Sequence, residues 1–251
     1  MPRTRFILIE TSHAGNVGGV ARAMKVMGFD DLVLVRPRWP NVLRREETIQ
    51  RASGALDVLN NARIVETLDE ALEGMTHLCA TAMVARDFGP PTRTPRQHLA
   101  PLAHTAPEGV AFLFGSERFG MSNDDVYRCH VALRIPTDPA FGSLNLASAV
   151  QVIAYEWREA LGGWGEAEGS ASGGALGVPA VASLADAQQI AGLLQHWEQS
   201  LTEIGFLDPE APKKLMPRLQ QLFNRAALTP EEVHILRGVA RQMTRHPAEK
   251  G

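Results

Sequence analysis

Short apolar runs alternate with helix-like stretches along the first part of the chain, and this alternation is the feature that most constrains the fold. The runs lie at 5–10, 32–36, 77–82, 110–115 and 131–135, each flanked by turn residues. Runs that are apolar throughout are typical of strands buried on both faces of a parallel sheet. The sequence therefore predicts an α/β fold built on a parallel sheet.

Two amphipathic stretches lie between or after these runs. One extends from about 16 to 27, places Val20, Ala23 and Met24 on one face, and is expected to stop at Gly28. The other extends from about 143 to 161. Both spacings predict α-helices.

The composition changes sharply after residue 161. Residues 162–183 contain seven glycines and no basic residue, which predicts a flexible linker. Helical patterns follow at 184–206 and 212–227, and Thr229-Pro230-Glu231-Glu232 carries the capping-box signature of a third helix. We therefore divide the chain into a first domain (1–161), a linker (162–183) and a small all-helical C-terminal domain (184–251).

Charge and cysteine content exclude several classes of protein. The chain has 25 Lys and Arg against 28 Asp and Glu, a net charge of −3, which argues against a uniformly basic RNA-coating protein but permits a local basic face. Two cysteines without a Cys-x-x-Cys pair predict neither a zinc site nor a disulfide framework. No apolar run reaches the ~18 residues of a membrane span. A cytoplasmic protein without membrane or metal is expected.

The first segment with candidate chemistry joins the first predicted strand to the first predicted helix. It contains Asn16, Gly18 and Arg22 in the order Asn-Val-Gly-Gly-Val-Ala-Arg. A helix that begins at such a turn can bind an anion. The glycines do not fit the dinucleotide fingerprint G-x-G-x-x-G, so a purely structural turn and a solvated arginine are the alternatives. Just before the turn, His13 is a proton acceptor by type or simply a loop histidine.

Two further segments follow the fourth and fifth apolar runs. Gly115, Glu117 and Gly120 come where the fourth run stops, and ligands of open α/β sheets bind at the carboxyl ends of strands. There Glu117 could be a structural cap, or could bind a cation or a hydroxyl group. Ser143-Leu144-Asn145 opens the second predicted helix, and one of its polar residues, with Ser143 the first choice, is expected to be the N-cap. The amide of Asn145 could also bind a ligand.

In this order and spacing the three segments resemble the motifs of the SpoU/TrmH class of SPOUT RNA methyltransferases. The resemblance covers residues 5 to about 160, and motif one of that class, Asn-x-Gly-x-x-Ala-Arg, matches the stretch from Asn16 to Arg22. The tail, from Phe206-Leu-Asp-Pro to Arg237-Gly238, is similar to the C-terminal extension of the TrmJ family. Members of that family are tRNA 2′-O-methyltransferases of cytidine or uridine at nucleotide 32 of the anticodon loop.

The resemblance implies a SPOUT-type parallel sheet with a C-terminal trefoil knot, a homodimer, a tRNA substrate and S-adenosylmethionine as the cofactor. It also implies that backbone groups of three loops hold the cofactor. Mapped onto this sequence, the cofactor-binding residues are Thr81, Ala82 and Met83, then Gly115, and then Ile135, Ser143, Leu144 and Asn145.

The implied reaction is methyl transfer from a sulfonium to a ribose 2′-hydroxyl, in which the family gives Arg22 the key role. A protonated guanidinium has no acceptor, so stabilisation of developing alkoxide charge and of the adjacent phosphate is expected of it rather than general-base catalysis. Asn16 is expected to orient Arg22 or the ribose. Glu117 and Asn145 are expected to hold the geometry of the site.

Binding of RNA requires neutralisation of phosphates, and basic residues are concentrated in three stretches. We predict that these stretches form the RNA-binding surface. Their basic residues are Arg36, Arg38, Arg44, Arg45 and Arg51, then Arg86, Arg93 and Arg96, then Lys213, Lys214, Arg218 and Arg225.

Three other functions stay open at this point. The same chemistry could act on ribosomal RNA or on another tRNA position, since only the tail argues for the TrmJ family. The chain could be a non-catalytic RNA-binding SPOUT protein, although the motif residues are intact. A small-molecule nucleotide-binding enzyme is disfavoured because the glycine fingerprint fails.

Overall fold

A computed structural model of the protein describes residues 2–82, 86–105, 107–164 and 183–245. Seven strands in these residues form one sheet. They are β1 (Arg3–Ile9), β2 (Asp31–Val35), β3 (Arg63–Val65), β4 (His77–Thr81), β5 (Thr92–Arg93), β6 (Gly109–Phe114) and β7 (Val131–Leu133).

The order across the sheet is β3-β2-β1-β6-β4-β7-β5, and every neighbouring pair is parallel. The parallel α/β fold is therefore confirmed, and each of the five predicted apolar runs corresponds to a strand. Strands β3 and β5 were not predicted. They are short and partly exposed at the two edges of the sheet, so neither carries an apolar run.

Helices follow the strands along the chain. They are α1 (Ala14–Val26), α2 (Glu46–Ala52), α3 (Leu56–Asn61), α4 (Leu68–Ala71), α5 (Pro95–His104), α6 (Asn123–Tyr127), α7 (Leu146–Ala160), α8 (Ala187–Glu203), α9 (Leu215–Ala226) and α10 (Pro230–Arg245). The predicted helices correspond to α1, α7, α8, α9 and α10. The short helices α2 to α5 were not predicted, because they have too few turns to show a period.

The sheet separates two apolar cores. Along β1, Phe6 and Leu8 face the core that α1, α5 and α7 cover, whereas Ile7 and Ile9 face the core beneath α4 and α6. Successive side chains of a strand point to opposite faces, so a strand covered by helices on both faces is apolar at every position. This arrangement explains the continuous apolar runs in the sequence.

The ends of the helices follow the expected chemistry, with one correction. Gly28 has a φ of 70° and ends α1, as its position predicted. Helix α10 begins with the predicted capping box between Thr229 and Glu232. The expectation of Ser143 as the cap of α7 is wrong. The cap is Asn145, whose Oδ1 accepts the N–H of Ala147 at 2.9 Å, so the helix starts at Leu146.

The C-terminal helices α8, α9 and α10 share a small core that includes Leu193, Phe223 and Val233. They also contact the sheet domain, where Nδ2 of Asn224 donates a hydrogen bond to the carbonyl oxygen of Cys129 at 3.1 Å. Most of the predicted linker lies outside the described residues, and the division into domains stays a prediction. No helix in the described part of the chain is long and apolar enough to cross a membrane.

We predict that Gly18→Ala destabilises the fold although alanine is the better helix former. A Cβ at Gly18 would lie 2.1 Å from the carbonyl oxygen of Thr48 and 2.9 Å from the backbone nitrogen of Ala52, where α1 packs against α2. Denaturant unfolding should show a loss of about 1–3 kcal/mol. The control is Gly54→Ala, where nothing lies within 4 Å of the added methyl. Equal stability of the two variants would contradict this packing argument.

Candidate active site

The carboxyl ends of four adjacent strands form one edge of the sheet. These strands, in spatial order, are β1, β6, β4 and β7. The three sequence motifs follow β1, β6 and β7, so parallel strands alone bring them to the same edge.

The carboxylate of Glu117 joins the segment after β6 to the segment after β1. It accepts hydrogen bonds from the hydroxyl of Thr11 at 2.9 Å, from both the backbone N–H and the hydroxyl of Ser12 at 2.8 Å, and from Nδ2 of Asn16 at 2.8 Å. Each carboxylate oxygen therefore has two partners. This network fixes the turn that precedes α1 and the first turn of that helix.

The third motif joins the same network. Nδ2 of Asn145 donates to Oδ1 of Asn16 at 2.9 Å, while Oδ1 of Asn145 caps α7. Asn16 is thus hydrogen-bonded to both Glu117 and Asn145, although it lies more than a hundred residues before either of them in sequence. We call this set, with Thr11 and Ser12, the Glu117 network.

Glu117 is held in its charged form. Burial favours the neutral carboxyl, but the hydrogen bonds from Asn16 and Ser12 outweigh burial and lower the pKa of Glu117 to about 2. A carboxylate with this pKa and four donors is unsuited to accept a proton from a substrate near neutral pH. Glu117 instead positions Asn16 through the hydrogen bond between them.

A cavity of about 110 Å³ lies beside this network. Four of the predicted cofactor-binding residues line it: Thr81, Ala82, Ile135 and Leu144. The other lining residues are Leu133, Thr137, Gly142 and Ala149. The walls are mostly apolar, and their backbone comes from the ends of β4 and β7, from the loop after β7 and from α7. Such a surface suits a flat heterocycle bound through main-chain groups.

The remaining predicted cofactor residues lie elsewhere. Ser143 and Asn145 are exposed and do not line this cavity. At Gly115 a Cβ would lie 2.1 Å from the backbone carbon of Gly120, so the close return of this loop explains the glycine. Met83 lies outside the described residues.

Arg22 makes no hydrogen bond to the Glu117 network and does not line the cavity of its own chain. Its side chain is exposed on α1 and forms no hydrogen bond or ion pair with the described residues. It lies six residues beyond Asn16, about 9 Å further along the helix axis. His13 is the exposed N-cap of α1 and makes no side-chain cap.

Some of the basic side chains predicted to bind RNA are engaged within the fold. Arg36 and Arg96 form ion pairs with Glu10 and Glu156 at 3.0 and 2.8 Å. Arg86 is hydrogen-bonded to the segment that leads into α6. Because these three side chains already have partners within the protein, we expect them to contribute less to RNA affinity than the other basic residues.

Other predicted basic residues lie against exposed aromatic rings. The guanidinium of Arg45 is 4.5 Å from the ring centroid of Trp39, and Lys214 and Arg218 lie 5.6 and 5.1 Å from that of Phe88. The remaining basic residues predicted to bind RNA form no ion pair in the described part of the chain. They are Arg38, Arg44, Arg51, Arg93, Lys213 and Arg225.

Aromatic residues are the functional candidates that sequence reasoning missed. Phe119 and Phe141, on the loops after β6 and β7, are 81% and 82% exposed. Large apolar side chains on both sides of a polar site are a surface suited to stacking with bases. In the sequence, the only indication of such a role was that each phenylalanine lies in a loop within or next to a motif.

The fold and the site geometry define the class of protein. The model of the SpoU rRNA Methylase family matches residues 3–155, which contain the whole sheet and all three motifs. The model of the C-terminal domain of the tRNA methyltransferase TrmJ matches residues 188–251.

Similar proteins extend this match to nearly the whole chain. The chain is 42% identical to the tRNA (cytidine/uridine/adenosine-2′-O-)-methyltransferase TrmJ of Pseudomonas aeruginosa, with 95% of this chain and 93% of that protein covered. It is also 42% identical to the tRNA (cytidine/uridine-2′-O-)-methyltransferase TrmJ of Klebsiella pneumoniae, with 94% and 93% covered. The chain belongs to the TrmJ family of SpoU-type methyltransferases.

Solved structures agree with this assignment. TrmJ from Z. mobilis ZM4 matches with a TM-score of 0.79 at 32% identity and covers 97% of this chain and 99% of its own. A probable methyltransferase from Bordetella pertussis matches with a TM-score of 0.59 at 44% identity, and the match covers 64% of this chain and 96% of its own.

We predict that Glu117→Gln lowers stability at pH 7 by about 1–3 kcal/mol, because an amide cannot accept all four hydrogen bonds. The folded pKa of Glu117, about 2, lies below the ordinary value of 4.5, so ionised Glu117 stabilises the fold above about pH 4.5. That contribution is lost as the pH falls from about 4.5 towards 2. Denaturant unfolding at several pH values should therefore show a weaker acid dependence for the variant.

The matched control is Glu108→Gln, which changes an exposed carboxylate before β6. It should keep the acid dependence of the unmodified protein. If both variants behave alike, the Glu117 network does not stabilise the fold as argued.

Proposed function

We propose that this protein methylates the 2′-hydroxyl of cytidine or uridine at nucleotide 32 in the tRNA anticodon loop, with S-adenosylmethionine as the methyl donor. The observation that carries the proposal is the Glu117 network, which joins the three motifs of the SpoU class beside a cavity at the ends of β4 and β7. The chain spans almost the full length of relatives that are named as tRNA 2′-O-methyltransferases. The cytoplasm, where tRNA is processed, is the proposed location.

The lining of the cavity fits an adenosine-type cofactor. Apolar side chains of Leu133, Ile135 and Leu144 offer a surface for a purine ring, and the ends of β4 and β7 offer main-chain groups to its edge. We assign cofactor binding to Thr81, Ala82, Ile135 and Leu144 on this ground. Met83, Gly115, Ser143 and Asn145 complete the set that the family resemblance implies. When bound, S-adenosylmethionine supplies a methyl group on a sulfonium, which is a good leaving group.

The protein's own residues then have to orient the ribose and stabilise charge. Asn16 is held by Glu117 on one side and Asn145 on the other, so its position at the edge of the sheet is fixed before substrate binds. A guanidinium stabilises the negative charge that develops on the 2′-oxygen as it attacks the methyl carbon and its proton passes to water, and it also binds the neighbouring phosphate. We assign this role to Arg22.

The position of Arg22 supports a homodimer. The side chain is exposed and is not among the residues that line the cavity of its own chain. Pairing of two copies would bring the guanidinium of one to the cavity of the other. Val26, one turn further along α1, is 57% exposed and gives this face an apolar contact. The trefoil knot implied by the family stays part of this proposal.

The direct test is to map 2′-O-methylation on an unmodified tRNA transcript incubated with the protein and S-adenosylmethionine. We expect a methyl group at nucleotide 32 for transcripts with either pyrimidine there. Methylation at another tRNA position, or of ribosomal RNA only, would correct the substrate. A solved structure concerned with methylation of C/U34 on tRNA, which matches at 25% identity with a TM-score of 0.50, makes position 34 the first alternative to inspect. No methylation of any RNA would favour a non-catalytic RNA-binding protein.

We predict that Arg22→Ala lowers methyl transfer by at least ~100-fold, because charge on the attacking oxygen is no longer stabilised. Cofactor affinity, measured by calorimetry, should be unchanged, since Arg22 does not line the cavity. The control is Lys25→Ala on the same helix, where the lysine pairs with Asp57 and not with the site. An active Arg22→Ala enzyme would refute the assignment.

Charge reversal tests the predicted RNA surface. We expect Arg45→Glu, Arg93→Glu and Lys214→Glu each to weaken tRNA binding and to lower the slope of log affinity against log salt by roughly one per lost phosphate contact. Lys25→Glu makes the same change in net charge outside the predicted stretches and should leave the slope unchanged. Equal slopes for all four variants would place the RNA elsewhere.

A further inference from the structure

A group of histidines and a cysteine lies at the opposite end of β4 from the candidate active site. His77 begins this strand, and Cys79 lies two residues further on, so both side chains point to the same face of the sheet. His98 approaches them from α5. His77 and His98 line a cavity of about 560 Å³ between the sheet domain and the C-terminal helices, and Cys79 is fully buried.

The donor atoms of these three residues are close enough to share one ion. A nitrogen of His77, the Sγ of Cys79 and a nitrogen of His98 all lie within 4.8 Å of one another, and the Nε2 atoms of the two histidines are 3.0 Å apart. Tetrahedral zinc, with Zn–N of about 2.0–2.1 Å and Zn–S of about 2.3 Å, separates its ligand atoms by roughly 3.3–3.6 Å. The donors therefore need to move by only about 1 Å.

A third histidine supports this arrangement from behind. Nδ1 of His130 accepts the backbone N–H of Leu78 at 3.1 Å, and its ring stacks on that of His77 with the centroids 4.6 Å apart. This contact holds the His77 ring in place, as neighbours outside the coordination sphere commonly do for metal ligands.

We propose that His77, Cys79 and His98 form a zinc-binding site, with the fourth position open to the cavity. Zinc binds through one nitrogen of each neutral imidazole and through the Cys79 sulfur, whose proton passes to solvent as the thiolate–metal bond forms. Imidazole nitrogen and cysteine thiolate are both ligand types that zinc takes, and the cavity supplies an entry path and room for a water ligand.

The site would serve structure and not methyl transfer. His77 and Thr81 stand at opposite ends of β4, about 13 Å apart along an extended strand. Bound zinc would join β4 to α5 beneath the cavity that Phe223, Asn224 and Leu228 close from the C-terminal side.

The test uses the full chain without an affinity tag, stripped with a chelator and then titrated with Zn²⁺ against a chromophoric competitor. We expect one Zn²⁺ per chain. Titration with Co²⁺ should give a thiolate-to-metal charge-transfer band together with visible bands of tetrahedral intensity. If the full chain binds neither ion in this way, the proposal is wrong, whatever the variants do.

Variants then identify the ligands. His98→Gln should weaken Zn²⁺ binding by at least ~10-fold, whereas His104→Gln, at the exposed end of the same helix, should not change it. Cys79→Ala should abolish the charge-transfer band, and Cys129→Ala, the other buried cysteine, should keep it. Circular dichroism checks that each variant is folded. A band that follows Cys129, or equal affinity in both histidine variants, would overturn the assignment.

Discussion

One ionised carboxylate holds the candidate active site together. Glu117 accepts hydrogen bonds from Thr11, Ser12 and Asn16, and so joins the ends of β1 and β6 to the start of α1. Asn145 extends the connection to α7. A half-buried charge with four donors is stable only in one arrangement, since loss of any donor leaves it partly unsatisfied. The geometry is thus set before any ligand binds.

The apolar cavity and the polar network lie at the ends of different strands of the parallel sheet. The ends of β4 and β7 provide an apolar cavity with main-chain groups, while the polar network lies at the ends of β1 and β6. Arg22 belongs to neither, because α1 carries it to an exposed face. For this reason the proposed function includes pairing of two copies, in which Arg22 of one copy serves the cavity of the other.

The parts of the fold that could be predicted are those whose signal is local. The central strands carry runs of buried apolar residues and were found, whereas β3 and β5 at the edges were missed. Long amphipathic helices were found, and the short helices α2 to α5 were not. The choice of Ser143 over Asn145 as the cap of α7 failed, because both residues are good caps and only tertiary contacts select one.

By itself the sequence determined the alternation of strands and helices, the three motifs and the family, because these depend on residue type and spacing. Only the tertiary structure decided which motif residues meet. It joined Asn16, Glu117 and Asn145, left Arg22 apart, and gathered His77, Cys79 and His98 from a strand and a helix. Hydrogen bonds and metal ligation act over about 3 Å, so they depend on the path of the folded chain, which residue spacing does not contain.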